Sequence, residues 1–157
     1  MPASAHVFRL LRERGVLLPN AVTAQGNYDL VVIENGFVFT SGQLPRLEDG
    51  KHVMSGRLGP EDNLEVARTA AQLCLARTLL VLHDALGDLA NLSRLVSLRG
   101  YVNAESTFAR HGAVMDAASQ LALDVLGPAG RHARTSIGVG GLPAGALVEI
   151  EAVAALA

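Results

Sequence analysis

Residues 130–139 read GRHARTSIGV, and residues 148–154 read VEIEAVA. Both runs alternate polar and apolar side chains, which is typical of β-strands with one buried face. The glycine-rich segment 140–145 between them favours a turn. We therefore predict that a β-hairpin, with strands at about 133–139 and 146–155, decides the fold of this chain.

An antiparallel pairing centred on this turn places Arg134 opposite Glu151 and Ser136 near Glu149. Side chains two residues apart share a face of a strand, so all four are expected to project the same way. A guanidinium among carboxylates forms either an ion pair or an anion-binding site beside a general base. The spacing alone favours an ion pair or a solvated face.

The remaining pattern predicts three helices and several short strands around this hairpin. Asn35-Gly36 favours a type I′ turn between two of the strands. Two long helices alternating with strands indicate an α+β fold, a mixed sheet with both long helices packed on one face. The expected order is α-βββ-α-β-α-ββ, with helices at about 5–14, 61–86 and 108–126, and earlier strands at about 30–33, 37–40, 52–54 and 92–102.

At 157 residues the chain is expected to form one domain, 1–157, with residues 1–15 as an N-terminal helical extension. Half of the residues are apolar and 18% are charged, below the roughly 25% of an average soluble protein. No run approaches the roughly 18 apolar residues of a membrane span. The apolar surplus therefore indicates an oligomer that buries the sheet face left uncovered by the helices.

Charge and residue types narrow the function classes further. The cations are scattered without a basic run, so a nucleic-acid partner is not expected. The N-terminus lacks a basic-then-apolar signal, which favours a cytoplasmic protein. The single Cys74 excludes an internal disulfide and is interpreted as an inert buried thiol. No two histidines stand four residues apart, so no metal site is expected.

Three motifs together resemble the RidA/YjgF family, the reactive-intermediate deaminases that also carry the name endoribonuclease L-PSP. They are the 130–154 segment, the run Ser41-Gly42-Gln43-Leu44-Pro45, and Tyr101-Val102-Asn103 followed by Phe108. The resemblance spans nearly the whole chain. The N-terminal helix and the Arg131-His132 pair indicate a longer branch of that family.

The resemblance implies a chorismate-mutase-like fold assembled as a homotrimer, with a site in each inter-subunit cleft. It assigns Arg134 to the substrate carboxylate and Glu149 to the attacking water. Backbone groups near Ser136, Gly42 and Gln43 would complete the pocket. The implied reaction hydrolyses a 2-imino or enamino acid to a 2-keto acid and ammonia, without a metal or an organic cofactor. Further site candidates are His132, Glu151 and Asn103.

The sequence departs from the family pattern at two positions. Thr23 stands where well-known members have a tyrosine, so the choice of substrate does not carry over with the resemblance. Ser136 replaces a frequent cysteine, but a backbone carbonyl there serves with either side chain. Two alternatives stay open: a regulatory trimer that binds a keto acid or other small carboxylate without turnover, and an endoribonuclease, which the absence of a basic patch disfavours.

Overall fold

The computed structural model describes residues 1–157 and confirms the α+β class. Five strands form one mixed sheet, and the two long helices pack on one of its faces. The predicted turn at Asn35-Gly36 is confirmed, since both residues have positive φ, +49° and +79°. The elements are α1 (Ser4–Glu13), β1 (Val31–Glu34), β2 (Phe37–Thr40), α2 (Glu65–Leu86), β3 (Leu92–Asn103), α3 (His111–Leu126), β4 (Ala133–Val139) and β5 (Val148–Leu156).

The predicted C-terminal hairpin is wrong, because β3 lies between β4 and β5. The strand order is β1-β2-β5-β3-β4; β3 and β4 run parallel, and every other neighbouring pair is antiparallel. Helix α3 supplies the crossover that a parallel pair requires. Residues 140–147 then cross over the end of β3, and eight residues are ample for two strand spacings of about 4.8 Å each.

This topology places Arg134 and Ser136 on the face of the sheet that the helices cover. In the parallel register Arg134 neighbours Leu98, which is fully buried, and Ser136 neighbours Gly100. A Cβ atom added at Gly100 would lie 2.8 Å from Cγ of Met115 on α3, so this face points at the helix.

Glu149 and Glu151 project from the opposite face. On β5 they alternate with buried Val148 and Ile150, and Glu151 neighbours Arg99 on β3. The prediction that Arg134 and Ser136 share a face with both glutamates is therefore wrong. A hairpin and a crossover have the same alternation, so the sequence pattern could not separate them.

The uncovered face of the sheet, hereafter the open face, carries an apolar patch. Its exposed members include two phenylalanines of β2 and branched residues from both edge strands: Val32, Phe37, Phe39 and Ile137. The covered face belongs to a core cluster of 31 buried residues, mostly leucine, valine and alanine. No helix has the length and apolar character needed to span a membrane.

Three predicted boundaries need correction. Helix α2 begins at Glu65 rather than near residue 61, because the Asp62 carboxylate accepts a hydrogen bond from the Gly59 amide (2.7 Å) and holds a turn there. Helix α3 begins at His111, since the Phe108 amide is already used in a turn with Glu105. The strand predicted at 52–54 is reduced to an isolated bridge between Arg46 and Val53.

The central position of β3 generates the first prediction. Gly100→Ala should lower the free energy of unfolding by about 1–3 kcal/mol, because the new methyl group overpacks against Met115. Chemical denaturation of the variant measures this loss. The double variant Gly100→Ala/Met115→Ala should lose less than the sum of the two single changes. Strict additivity would contradict the predicted contact.

Candidate functional site

Glu149 lies where the 41–43 segment packs against β5. The Gln43 amide donates to the Ile150 carbonyl (2.8 Å), and the Ile150 amide donates back to the Gln43 carbonyl (3.1 Å). This pairing brings Gly42 against the Glu149 side chain, where an added Cβ would lie 2.8 Å from the carboxyl carbon. Glycine is therefore required at position 42 if the carboxylate is to keep this position.

A cavity of about 140 Å³ lies beside Glu149. The loop before β1 forms one side of it through Thr23, Gln25 and Tyr28. The Tyr28 hydroxyl accepts a hydrogen bond from the Gln25 amide (3.3 Å), which fixes the ring against the loop. A tyrosine thus contributes to the cavity wall, together with Thr23, although sequence reasoning gave Tyr28 no role.

Two arginines that the sequence reasoning did not assign to the site also line this cavity. Arg46 follows the 41–45 motif, and Arg77 projects from the middle of α2. Arg77 carried a signal in the sequence, since it is a charged residue within the otherwise apolar stripe of a long helix. Arg46 carried none, because an arginine after a proline is unremarkable in a loop.

The position of Glu149 changes its acidity. The side chain is half-buried, and burial raises the pKa of its carboxyl group because the charged form loses hydration. The neighbouring negative charge of Glu151 raises it further. A carboxyl group with a raised pKa is a stronger base than an exposed carboxylate, and a larger fraction of it carries a proton that it can donate, which suits acid–base catalysis.

Arg134 lies in a second cluster, beneath α3. Its Nη1 donates to an Asp116 carboxylate oxygen (2.8 Å) and to the Ser119 hydroxyl (3.0 Å), and 27% of its side chain is exposed. His132 contacts the same hydroxyl through Nε2 (3.0 Å) and the Gly130 carbonyl through Nδ1 (2.6 Å). Burial lowers the pKa of His132, which favours the neutral ring.

The other candidates have separate environments. Ser136 has a buried hydroxyl without a hydrogen-bond partner. Glu151 forms an ion pair with Arg99 (2.9 Å) on the open face. Asn103 is buried and donates to the Ala146 carbonyl (3.1 Å), which holds the segment that leads into β5.

Within the chain the candidates therefore form two groups on opposite sides of the sheet. Glu149, Gly42 and Gln43 surround the cavity, whereas Arg134, His132 and Ser136 lie on the side covered by α3. No three His, Cys, Asp or Glu side chains lie close enough together to hold a metal ion.

A five-stranded mixed sheet of this order, with two helices on one face, defines a chorismate-mutase-like α+β protein. A family profile described as "YjgF/chorismate mutase-like, putative endoribonuclease" matches residues 9–156. The chain belongs to this family, as its motifs indicated. The structure of YjgF from E. coli shows the same fold at 23% identity, with a TM-score of 0.62 over 89% of this chain and 96% of that one.

Other relatives are more similar. Protein TCP17 of Trypanosoma cruzi is 37% identical over 155 residues, covering 98% of this chain and 96% of that protein. The crystal structure of Atu1372 from Agrobacterium tumefaciens has a TM-score of 0.89 at 36% identity, covering 98% and 94% of the two chains. A structure from Shewanella oneidensis that is named an endoribonuclease has a TM-score of 0.86 at 30% identity, covering 96% and 99%.

The raised pKa of Glu149 generates the second prediction. An ionised, half-buried carboxylate destabilises the folded state, so Glu149→Gln should raise the melting temperature at pH 7. The gain should shrink as the pH falls and vanish below about 4.5, where the carboxyl group is protonated in both states. Thermal melts from pH 4 to 8 measure this. The exposed Glu61→Gln is the control, and an equal effect of both changes would contradict the assignment.

Proposed function

We propose that this protein is a cofactor-independent hydrolase that deaminates 2-imino or enamino acids to 2-keto acids. The observation that carries the proposal is Glu149, a half-buried carboxyl group with a raised pKa at the wall of a small cavity. Membership of the YjgF family is consistent with this chemistry. A cytoplasmic location is part of the same proposal.

The reaction needs little beyond a placed water and a proton acceptor. Glu149 accepts a proton as a water oxygen adds to the imine carbon and the C=N electrons move to nitrogen. The same group then returns the proton to that nitrogen. Glu149 then accepts the proton of the hydroxyl group formed from water and passes it to the nitrogen as the C–N bond breaks, so that ammonia leaves and the keto group forms. A carboxyl group with a raised pKa suits both transfers.

Arg134 is proposed to hold the substrate carboxylate, because its planar guanidinium pairs two donors with two carboxylate oxygens. In one protomer it lies on the opposite side of the sheet from Glu149, so a shared site needs Arg134 from a second copy. We propose a homotrimer in which each contact is head-to-tail, which brings every Arg134 to a neighbour's Glu149. The apolar open face supports such an assembly, since exposed patches of this kind mark interfaces.

Mixing two inactive variants tests the shared cleft. Arg134→Ala and Glu149→Gln should each lower imine hydrolysis by about 100-fold or more. Refolded together in equal amounts, they should recover roughly a quarter of the wild-type rate, because random head-to-tail rings leave that share of clefts intact. Release of keto acid from imines generated by an amino-acid oxidase measures the rate. A mixture no more active than either variant would contradict a cleft built by two copies.

The open face provides a separate test of assembly. Phe39→Lys should convert the trimer into monomers, because burying an ammonium group in an apolar contact costs several kcal/mol. Sedimentation velocity measures the change. Val66→Lys, at a valine that is 59% exposed on the helical side, should leave the trimer intact. A wild-type monomer, or a Phe39→Lys trimer, would contradict the proposed interface.

The alternative with support in the structure is a regulatory protein that binds a small carboxylate without turnover. Thr23 in the cavity wall favours it, because the family's tyrosine is missing from that position. Stabilisation by 2-keto acids that Arg134→Ala removes, together with no acceleration of imine hydrolysis, would select this function. Cleavage of RNA by nuclease-free protein would instead select the activity named in the family description.

A further inference from the structure

Arg77 has an unusual environment for an arginine. It is 5% exposed, and its Nε and Nη1 atoms are buried without a hydrogen-bond partner. None of the ion pairs in the protomer includes it. Burying a charged group without a partner is strongly unfavourable, so the position indicates a partner that one protomer does not supply.

Arg46 adds a second unpaired cation to the same cavity. Its one side-chain hydrogen bond is to the Lys51 carbonyl (3.2 Å), on the loop side. Burial lowers the pKa of Arg77, and the positive charge of Arg46 lowers it further. Two guanidinium groups thus line one small cavity, with Glu149 as the only carboxylate in its wall. An additional anion in the cavity would pair with the buried Arg77 and would also reduce the repulsion between the two guanidinium groups.

We propose that Arg77 and Arg46 bind a second carboxylate of the substrate, which makes the preferred substrate a small dicarboxylic 2-imino acid. The first carboxylate would be held by a neighbour's Arg134, the reacting carbon would lie at Glu149, and the distal carboxylate would reach Arg77. The position of the bound anion is inferred from the cavity of one protomer alone. The substrate class depends in addition on the proposed deaminase function.

The size of the cavity and the type of its donors favour a carboxylate. Its volume of about 140 Å³ lies below the roughly 300–1,000 Å³ of pockets that bind drug-sized ligands, so the cavity suits a small molecule. A guanidinium presents parallel donors that match the two oxygens of a carboxylate, and this match favours one orientation of the ligand.

A matched pair of ligands tests the proposal. 2-Oxoglutarate and 2-oxopentanoate have the same chain length and differ by the distal carboxylate. By isothermal titration, the wild-type protein should bind the dicarboxylate at least roughly tenfold more tightly, as expected for a charged hydrogen-bonded pair. Arg77→Met should remove this preference by weakening the binding of 2-oxoglutarate. Arg134→Ala should weaken the binding of both acids.

Stability separates a binding role from a structural one. Without ligand, Arg77→Met should raise the melting temperature, because it replaces an unpartnered buried charge by an apolar chain of similar length. Arg12→Met, at an exposed arginine of α1, should change neither the melting temperature nor the ligand preference. A wild-type preference retained in Arg77→Met would overturn the proposal. A lowered melting temperature of Arg77→Met would also overturn the proposal, because it would indicate that Arg77 pairs with a carboxylate of a second copy and has a structural role.

The same measurements keep the two proposals apart. If imine hydrolysis depends on Arg134 and Glu149 but shows no preference for dicarboxylic substrates, the proposed function stands and the Arg77 site is wrong. If no imine is hydrolysed but binding of 2-oxoglutarate depends on Arg77, the anion site stands and deamination is wrong.

Discussion

The pairing of β3 with β4 on one edge and with β5 on the other is the constraint on which the rest of the structure depends. The parallel pair requires the α3 crossover, and α3 then covers the side of the sheet that carries Arg134. The antiparallel pair turns Glu149 to the opposite side. Strand β3 therefore lies between the strand that carries Arg134 and the strand that carries Glu149, and these two side chains project from opposite faces of the sheet.

Local elements of the fold were predictable because each has a local cause. The Asn35-Gly36 turn follows from the tolerance of both residues for positive φ, and Gly87 ends α2 for the same reason. The choice between a hairpin and a crossover at 133–155 is not local. It depends on whether β4 gains more stability by pairing with β3 or with β5, and the alternation along each strand is the same in both arrangements.

The residues of the candidate site likewise divide into those that the sequence identified and those that it could not identify. Glu149, Gly42 and Gln43 were named from their motifs, and the structure places them together. Arg77 was visible only as a charge in an apolar stripe, because its significance depends on a cavity formed by the loop before β1. Glu151 could not be separated from Glu149 by sequence spacing, and the difference comes from the register that gives Glu151 the Arg99 partner.

The contacts of Arg134 have a consequence for the entropy of ligand binding. Asp116 and Ser119 both accept from the same nitrogen, Nη1, and leave Nη2 and Nε without a protein partner. Gly112, beside Nη2, leaves room around that nitrogen. Both bonds restrain the side chain before a ligand arrives and so lower the cost of ordering it on binding, which is about 0.5–1.5 kcal/mol for a free side chain of this kind. In the role proposed for Arg134, this arrangement would leave Nε and Nη2 to pair with a carboxylate that approaches from the edge of the sheet.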